Sequence, residues 1–502
     1  MRRVLHGFMA VITAVVLSAH VGSPDVFFSG KAGPYDLRVV IRPPEVVPGV
    51  ARVTVRTSAD VQRVSIRPVY WRAGSRGAPS ADEARRLDGD GGGQTFAGSL
   101  WLMARGAYTV DVIVEGVHGA ANVQVPVASV ATGQLEMSPV LGVLLLALGL
   151  MLCAGLVTIV YKGAGESLLE VGRSLDPARV RAARRVAAIS IPIIALALVG
   201  GARWWRAVDA DYERSIYRPS PLVLWREGDT LRVALSDTIW QPPGRPSMLI
   251  PDHGKMMHLF LVRAGDATAL AHLHPQPVGQ ALIPAMTTRV PPLPPGDYHV
   301  YGDVVHETGF ERTLVGRLAI DSADWARRWT PLDPDDAWFA GAASRDRAMR
   351  LADGSEMRIA IIPNGAIHAG REQSIRVSVL DPAGNAAALE TYLGMVAHGV
   401  VVRTDGEVYV HLHPMGTVTT AAQQAFAARD RGDTTEAGIL RATEHATHAM
   451  SSAAPASDAV VEFPYAFPKP GSYRLFVQVK RGGRILTGAF AIPVVDSAPA
   501  RP

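Results

Sequence analysis

Residues 255–275 read KMMHLFLVRAGDATALAHLHP, and residues 395–414 read MVAHGVVVRTDGEVYVHLHP. Both stretches run from a histidine through an apolar segment to the string HLHP. His258 lies fourteen residues before His272, and His398 lies thirteen before His411. On an extended strand, residues i and i+2 share a face. The pairs His272/His274 and His411/His413 therefore each present two imidazoles on one side. A third imidazole from a neighbouring strand completes a candidate metal-ligand set.

The surroundings repeat as well. PPGDYHVYGDV matches KPGSYRLFVQV, and TLVGRLAI matches ILTGAFAI, in the same order after each HLHP. This predicts an internal duplication. The first copy spans 222–321, the second spans 350–495, and a Trp- and Pro-rich linker covers 322–349. The second copy carries an insertion, 415–460. It is rich in Ala, Gln, Arg and Glu and so predicts some helix, then turns to a flexible SSAAPASD. Upstream, LRVVIRP, ARVTVRT, QRVSIRPVYW and AYTVDVIVEG alternate apolar and polar residues between Gly, Pro and Asp clusters. They predict an antiparallel sandwich over 24–132. Trp71 and Trp101 are expected in its core.

The chain has 502 residues, too many for one core. Charged residues are only 19% of it, and its net charge is +4 with the basic residues scattered. No basic stripe with interleaved aromatics is present, so nucleic acid is not an expected partner. Arg2, Arg3 and the apolar run that follows predict a signal peptide or anchor over 1–23. Residues 139–161 contain 21 consecutive uncharged residues, Val140 to Val160, and predict a transmembrane helix. Residues 186–205 predict a second, with Trp204 and Trp205 as an interfacial belt. Between them, 162–185 carries Lys162, Arg173, Arg179, Arg181, Arg184 and Arg185, which marks a cytoplasmic loop. Both flanking regions are then expected on the extracytoplasmic side. The single cysteine, Cys153, lies in the first span, so an exported metal site has no thiolate to use.

Twelve of the fifteen histidines lie beyond residue 250. Imidazole and thioether without cysteine suit copper in an oxidising compartment, with zinc as the second choice. The first candidate set is His258, His272, His274 and His306, with Asp303 and Met256. Bringing Asp303 and His306 together requires a bulge or turn after Asp303. The second set is His398, His411 and His413 with Met395 and Met415, and it draws on His445 and His448 of the insertion. DHGK (252–255) is expected to be a loop leading into the strand. HxHP by itself also describes histidines bonded to backbone at a strand end, with proline ending the strand. No nucleophile elbow, HExxH or phosphate loop is present, so an enzyme is the less favoured reading.

HGKMMHLFLVR…AHLHP and LGMVAHGVVVR…VHLHPMGT resemble YtkA-like domains, small exported bacterial β-sandwiches associated with copper handling. The resemblance covers the two repeats, about half the chain. It implies an immunoglobulin-like sandwich and a metal-handling role. The expected architecture is thus mainly β: three immunoglobulin-like sandwiches, two transmembrane helices and an N-terminal signal or anchor helix. The expected function is membrane-anchored copper binding and transfer to or from an exported partner protein. The alternatives are a non-metal scaffold or sensor and a membrane-bound copper oxidoreductase.

Overall fold

Period-two patterning folds nearly half of the chain into strands, mostly antiparallel, and the computed structural model is mainly β with two long apolar helices. It describes residues 20–21, 25–57, 61–87, 93–167, 169–170, 172–235, 248–279, 285–321, 329–433, 435, 437–443 and 460–496. One compact unit holds the N-terminal domain and both repeats; the other is the helical segment Ala131–Tyr217. The signal or anchor segment lies outside the described residues except for His20–Val21, which pair in parallel with Val408–Tyr409.

The helical unit consists of Pro139–Glu166 and Pro177–Ser215, both long and apolar enough to cross a membrane. Ser138 caps the first helix, its Oγ accepting from the Leu141 N–H, and Asp176 caps the second through Arg179 N–H. Each cap is followed by proline at the first helical position, where a missing N–H costs nothing. The Asp176–Pro177 pair starts the second helix well before its apolar run. Arg179, Arg181, Arg184 and Arg185 therefore lie on its first turns and not in a loop. The helix also continues past Trp204 and Trp205 to Ser215.

The N-terminal domain stacks two sheets over one core. One contains Val26–Ala32, Tyr35–Arg42, Gly49–Thr57, Gln94–Leu102 and Arg85–Leu87. The other contains Gly119–Ser129, Gly106–Gly116, Val61–Tyr70 and Asp82–Glu83. Val39, Val53, Val55 and Phe96 meet Val64, Ile66, Val110 and Val112 between them. The expectation for Trp101 is corrected: it is 58% exposed. Leu100 and Leu102 take the inward positions of its strand, so the alternation turns Trp101 outward. Trp71 is half-buried, with its ring edge-on to Phe426 at 5.1 Å and under Arg429.

The two repeats have matching sheets. In the first, Gly296–His306 pairs with Glu311–Ile320 and His258–Arg263, and the latter pairs with Ala269–Leu273. In the second, Gly471–Arg481 pairs with Arg484–Val495 and Ala397–Arg403, and the latter pairs with Val408–Leu412. The registers agree residue for residue: His258 faces Asp303, and His398 faces Gln478. A second sheet backs each one, Leu222–Glu227 with Thr230–Leu235, Ala285–Arg289 and Gln276–Val278 in the first repeat. Its counterpart is Ala348–Arg350, Glu356–Ile362, Glu372–Leu380 and Val460–Ala466. The linker is less separate than its composition suggests. Ala337–Ala340 joins the first repeat's sheet beside Ala269–Leu273.

These central strands are apolar at both phases, because both faces are covered. Leu259, Leu261, Ala271 and Leu273 point into the first repeat's own core. Phe260, Val262, Leu270 and Tyr301 pack instead against Val400, Val402, Tyr409 and Phe476 of the second repeat. The two sheets thus lie face to face, and Tyr301 stacks on Tyr409 with centroids 4.1 Å apart and planes 7° from parallel. The insertion supplies the helix Thr420–Asp430. Its buried face (Ala421, Ala422, Ala425) packs with Ile250 and Val305 of the first repeat, and Gln423 reaches the Gln124 carbonyl of the N-terminal domain.

Candidate metal centre

Alternation decides where the histidines go. His258 shares a face with Phe260 and Val262, and His272 shares one with Leu270. That face is the contact between the repeats. Seven histidines (His253, His258, His272, His274, His398, His411 and His413) consequently gather in one chamber at the edge of the shared core. His272 and His274 lie 4.5 Å apart by ring centroid, as do His411 and His413. His258 is 5.2 Å from His411, and His398 is 5.5 Å from it. All seven are shielded from solvent.

His253 enters from a turn. Asp252 and Lys255 exchange backbone hydrogen bonds, while His253 and Gly254 both take positive φ, 52° and 80°. Positive φ at both central positions is the signature of a two-residue I′ turn. It costs a histidine on the order of 1 kcal/mol. The second repeat builds the same turn from Tyr392 to Met395, with Leu393 and Gly394 at 49° and 74°. His253 thereby stands 5.7 Å from His398 and 5.2 Å from His413. DHGK is a loop leading into the strand, as expected, but it also delivers a seventh imidazole.

Each anchored ring is held at one nitrogen. His272 Nδ1 is 2.8 Å from Gln478 Oε1 and 3.2 Å from the Tyr392 hydroxyl. Its Nε2 is then turned to His258 Nδ1 at 3.1 Å. His258 Nε2 lies 3.3 Å from the Asp252 carbonyl. His274 Nδ1 is 3.1 Å from Asp336 Oδ1, and His413 Nδ1 is 3.3 Å from the Val418 carbonyl. His411 Nδ1 is 3.7 Å from Asp303 Oδ2. Among the described residues, Nε2 of His274, His411 and His413 has no hydrogen-bond partner, nor has either nitrogen of His253 and His398. His253 Nε2 lies 3.4 Å from the Asp252 carboxylate. A buried polar atom without a partner costs about 1–3 kcal/mol. Seven such atoms rival the ~5–15 kcal/mol that stabilises an entire domain. Packing alone is a poor reason to keep them.

Burial also sets their charge. It pushes His253 and His413 down to about 4 and His274 down to about 3. Burial, then the neighbouring imidazoles, holds His258, His398 and His411 well below the usual histidine range, and His272 is lowered likewise. The rings are neutral at pH 7, so each offers a lone pair. Two sets of three put their ligand atoms within 4.8 Å of one another: His258, His272 and His274, and His253, His398 and His413. A third set is His274 with Asp333 and Asp336. Burial raises Asp336 to about 7. Burial pushes Asp333 up, but the Lys255 ammonium 2.6 Å away, the Asp335 N–H and His274 together outweigh it and leave that carboxyl low.

The other candidate residues fall elsewhere. The strand stays regular from Asp303 to His306, with Asp303 opposite Thr313 and Val305 opposite Glu311. No bulge joins the two residues. His306 ends the strand with its N–H bonded to the Phe310 carbonyl, outside all three ligand groups. Asp303 accepts from Thr313 and from the Tyr409 hydroxyl, at 2.5 and 2.7 Å, and faces His411 of the other repeat. Met256 packs on the first repeat's core, and Met415 on the N-terminal domain's core. Met395 closes its turn through its backbone. His445 and His448 lie outside the described residues. Sequence reading passed over His253, Asp333, Asp336, Gln478 and Tyr392 as site residues. The carboxylates were visible only as DPDD in a stretch that reads as linker.

Residues 351–496, the second repeat, match a domain of unknown function (DUF8832). No curated protein matches the chain. Among solved structures, it is similar to a tetra-tandem repeat from the extending region of a large adhesion protein. The identity is 9% over 89% of this chain and 71% of that one, with a TM-score of 0.15. Dimeric latent PorU from Porphyromonas gingivalis matches at 8% identity over 90% of this chain and 32% of its own, TM-score 0.14. A Salmonella alpha-2-macroglobulin matches at 9% over 96% and 24%, TM-score 0.18. Scores this low carry no argument about fold or activity. The chain is thus similar to a family without an assigned function over its second repeat, and the chamber itself has to supply the functional reading.

Proposed function

We propose that this is a membrane-anchored, exported metal-binding protein that holds copper between its two C-terminal repeats. One observation carries the reading. Five of the seven buried imidazoles have one nitrogen facing an acceptor or donor of the protein, while ring nitrogens without a partner are left over in the chamber. Histidine ligands are built this way: an outer partner fixes the ring and its tautomer, and the other nitrogen meets the metal.

An all-imidazole set suits copper and zinc, and copper(II) binds nitrogen sites more tightly than zinc does. Met256 and Met415 pack in domain cores, so thioether support for copper(I) is not part of this reading. Burial of the ligands favours an ion that is retained and released only when the repeats part. The basic residues between and at the start of the helices support a cytoplasmic placement of that end, with both β-regions on the other side. We read each repeat as an immunoglobulin-like, YtkA-like sandwich, and the exchange partner as another exported protein.

The test is copper(II) and zinc(II) titration of the full chain in detergent, beside the H272A/H274A variant. Tight copper binding that the double variant weakens by at least tenfold is expected. A wild-type protein that binds neither metal, while the variant loses its folded structure, would overturn the reading and leave the histidines as scaffold.

A further inference from the structure

The chamber contains more imidazoles than one ion accepts. Zinc or copper bound by imidazole takes about four ligands at ~2.0–2.1 Å, which sets neighbouring ligand nitrogens ~3.4 Å apart. His258 Nδ1 and His272 Nε2 already stand at 3.1 Å. The first trio, His258, His272 and His274, and the second, His253, His398 and His413, share no member. His411 belongs to neither. Its ring lies 5.2 Å from His258, 5.7 Å from His272, 5.5 Å from His398 and 4.5 Å from His413, so it stands between the two.

The second trio is not the symmetry copy of the first. The copy would be His398, His411 and His413. Instead His253 of the first repeat completes it. Leu393 occupies the position equivalent to His253, so the second repeat offers nothing in return there. Its return contribution is Gln478 and Tyr392, which hold His272. Neither trio is complete, in ligands or in the groups that orient them, within one repeat.

Two dications in a buried site need counter-charge nearby. Carboxylates stand along the chamber: Asp336 beside His274, Asp303 beside His411, and Asp252 beside His253. Lys255 is neutralised by Asp333 and Asp335. The charge is distributed along the cluster and not focused on one point.

We infer that the chamber holds two metal ions side by side, one on each trio with His411 between them, so that the two repeats form a single dinuclear centre. This rests on the metal-binding reading above and goes beyond it in number, coupling and shared ownership of the ligands.

The experiment is copper(II) loading of the full chain in detergent, read by metal analysis and electron paramagnetic resonance. Wild type, H253N and H274N are compared. Asparagine tolerates positive φ, so H253N keeps the turn. H274N leaves that turn untouched and serves as a second, independent variant. Wild type is expected to bind two copper ions per chain with a spectrum broadened or diminished by their magnetic interaction. H253N, a first-repeat variant, is expected to weaken the ion on His398 and His413 at least tenfold. The remaining copper should give an ordinary isolated signal at full intensity, and H274N should do the same from the other end. One copper per wild-type chain, or two with fully isolated signals, overturns the dinuclear centre and leaves metal binding standing. An H253N protein that still binds two interacting ions also overturns it. No copper at all removes both this inference and the reading beneath it.

Discussion

The first repeat and the second have the same strands in the same register, yet they differ at the positions that face each other. Asp303 in one is Gln478 in the other, each opposite the upstream histidine of its own sheet. Each is held by a threonine of the next strand, Thr313 or Thr487. Each then reaches across: Gln478 to His272, Asp303 to His411. The HLHP histidines and the strand scaffold recur in both repeats, and the residues that reach the neighbour differ. The difference teaches that the histidine cluster is built by the pair and not by either repeat alone.

The largest effects are expected in the shared core. Tyr301 and Phe476 occupy equivalent positions, facing Phe260 and Val400 across the sheet, and both are buried between the repeats. Truncating a buried aromatic costs about 3–5 kcal/mol. Y301A and F476A should each lower unfolding free energy by that amount, measured by denaturant melts of the full chain. Very unequal losses would show that one repeat folds without leaning on the other.

The next contrast is charge. Glu311 is half-buried where the second repeat has Ile485, and it accepts from the Thr419 N–H and hydroxyl at the start of the insertion helix. Burial raises its carboxyl from 4.5 to about 7. A folded pKa above the unfolded one makes stability greatest below about pH 4.5, and stability is lost as pH rises through 7. At ~1.4 kcal/mol per unit, the span is up to about 3 kcal/mol. E311Q should therefore gain on wild type between pH 5 and pH 8. Parallel stability curves over that range would remove Glu311 as their cause.

The crossing contacts come third. Removing an outer partner of a ligating histidine typically weakens metal binding 10–100-fold. Q478L should weaken the ion held by the first repeat, although Gln478 belongs to the second, and D303L should act on His411 in the opposite direction. Copper titration of both variants distinguishes this from the ordinary case, in which each substitution affects only its own repeat. Y392F is the mildest. It removes one hydroxyl from His272 and leaves Gln478 in place, so a loss of about 1 kcal/mol, under tenfold in affinity, is expected by the same titration.

Much of this architecture was legible in the chain. The two HLHP strings and their upstream histidines mark the duplicated strands, because period-two alternation is a local property of extended backbone. The uncharged run from Val140 to Val160 marks a helix that can cross a membrane for an equally local reason. Trp101 was misplaced because an aromatic residue in a strand reads as core unless its phase is followed from Leu100 and Leu102. His306 and the methionines were grouped with the histidines by proximity in sequence, and the fold sends them to a strand end and to domain cores.

The sequence by itself determined the strands, the repeat and which residue types face one way along each strand, since these depend on neighbours a few positions apart. Only the tertiary structure decided that the histidine-bearing faces meet. That meeting joins residues as far apart as His272 and Gln478, 206 positions along the chain. It depends on both sheets having apolar outer faces that must be covered together. An HLHP string specifies two imidazoles on one side of a strand; the packing of sheet on sheet, with His253 from its turn, gathers seven imidazoles in one buried cluster.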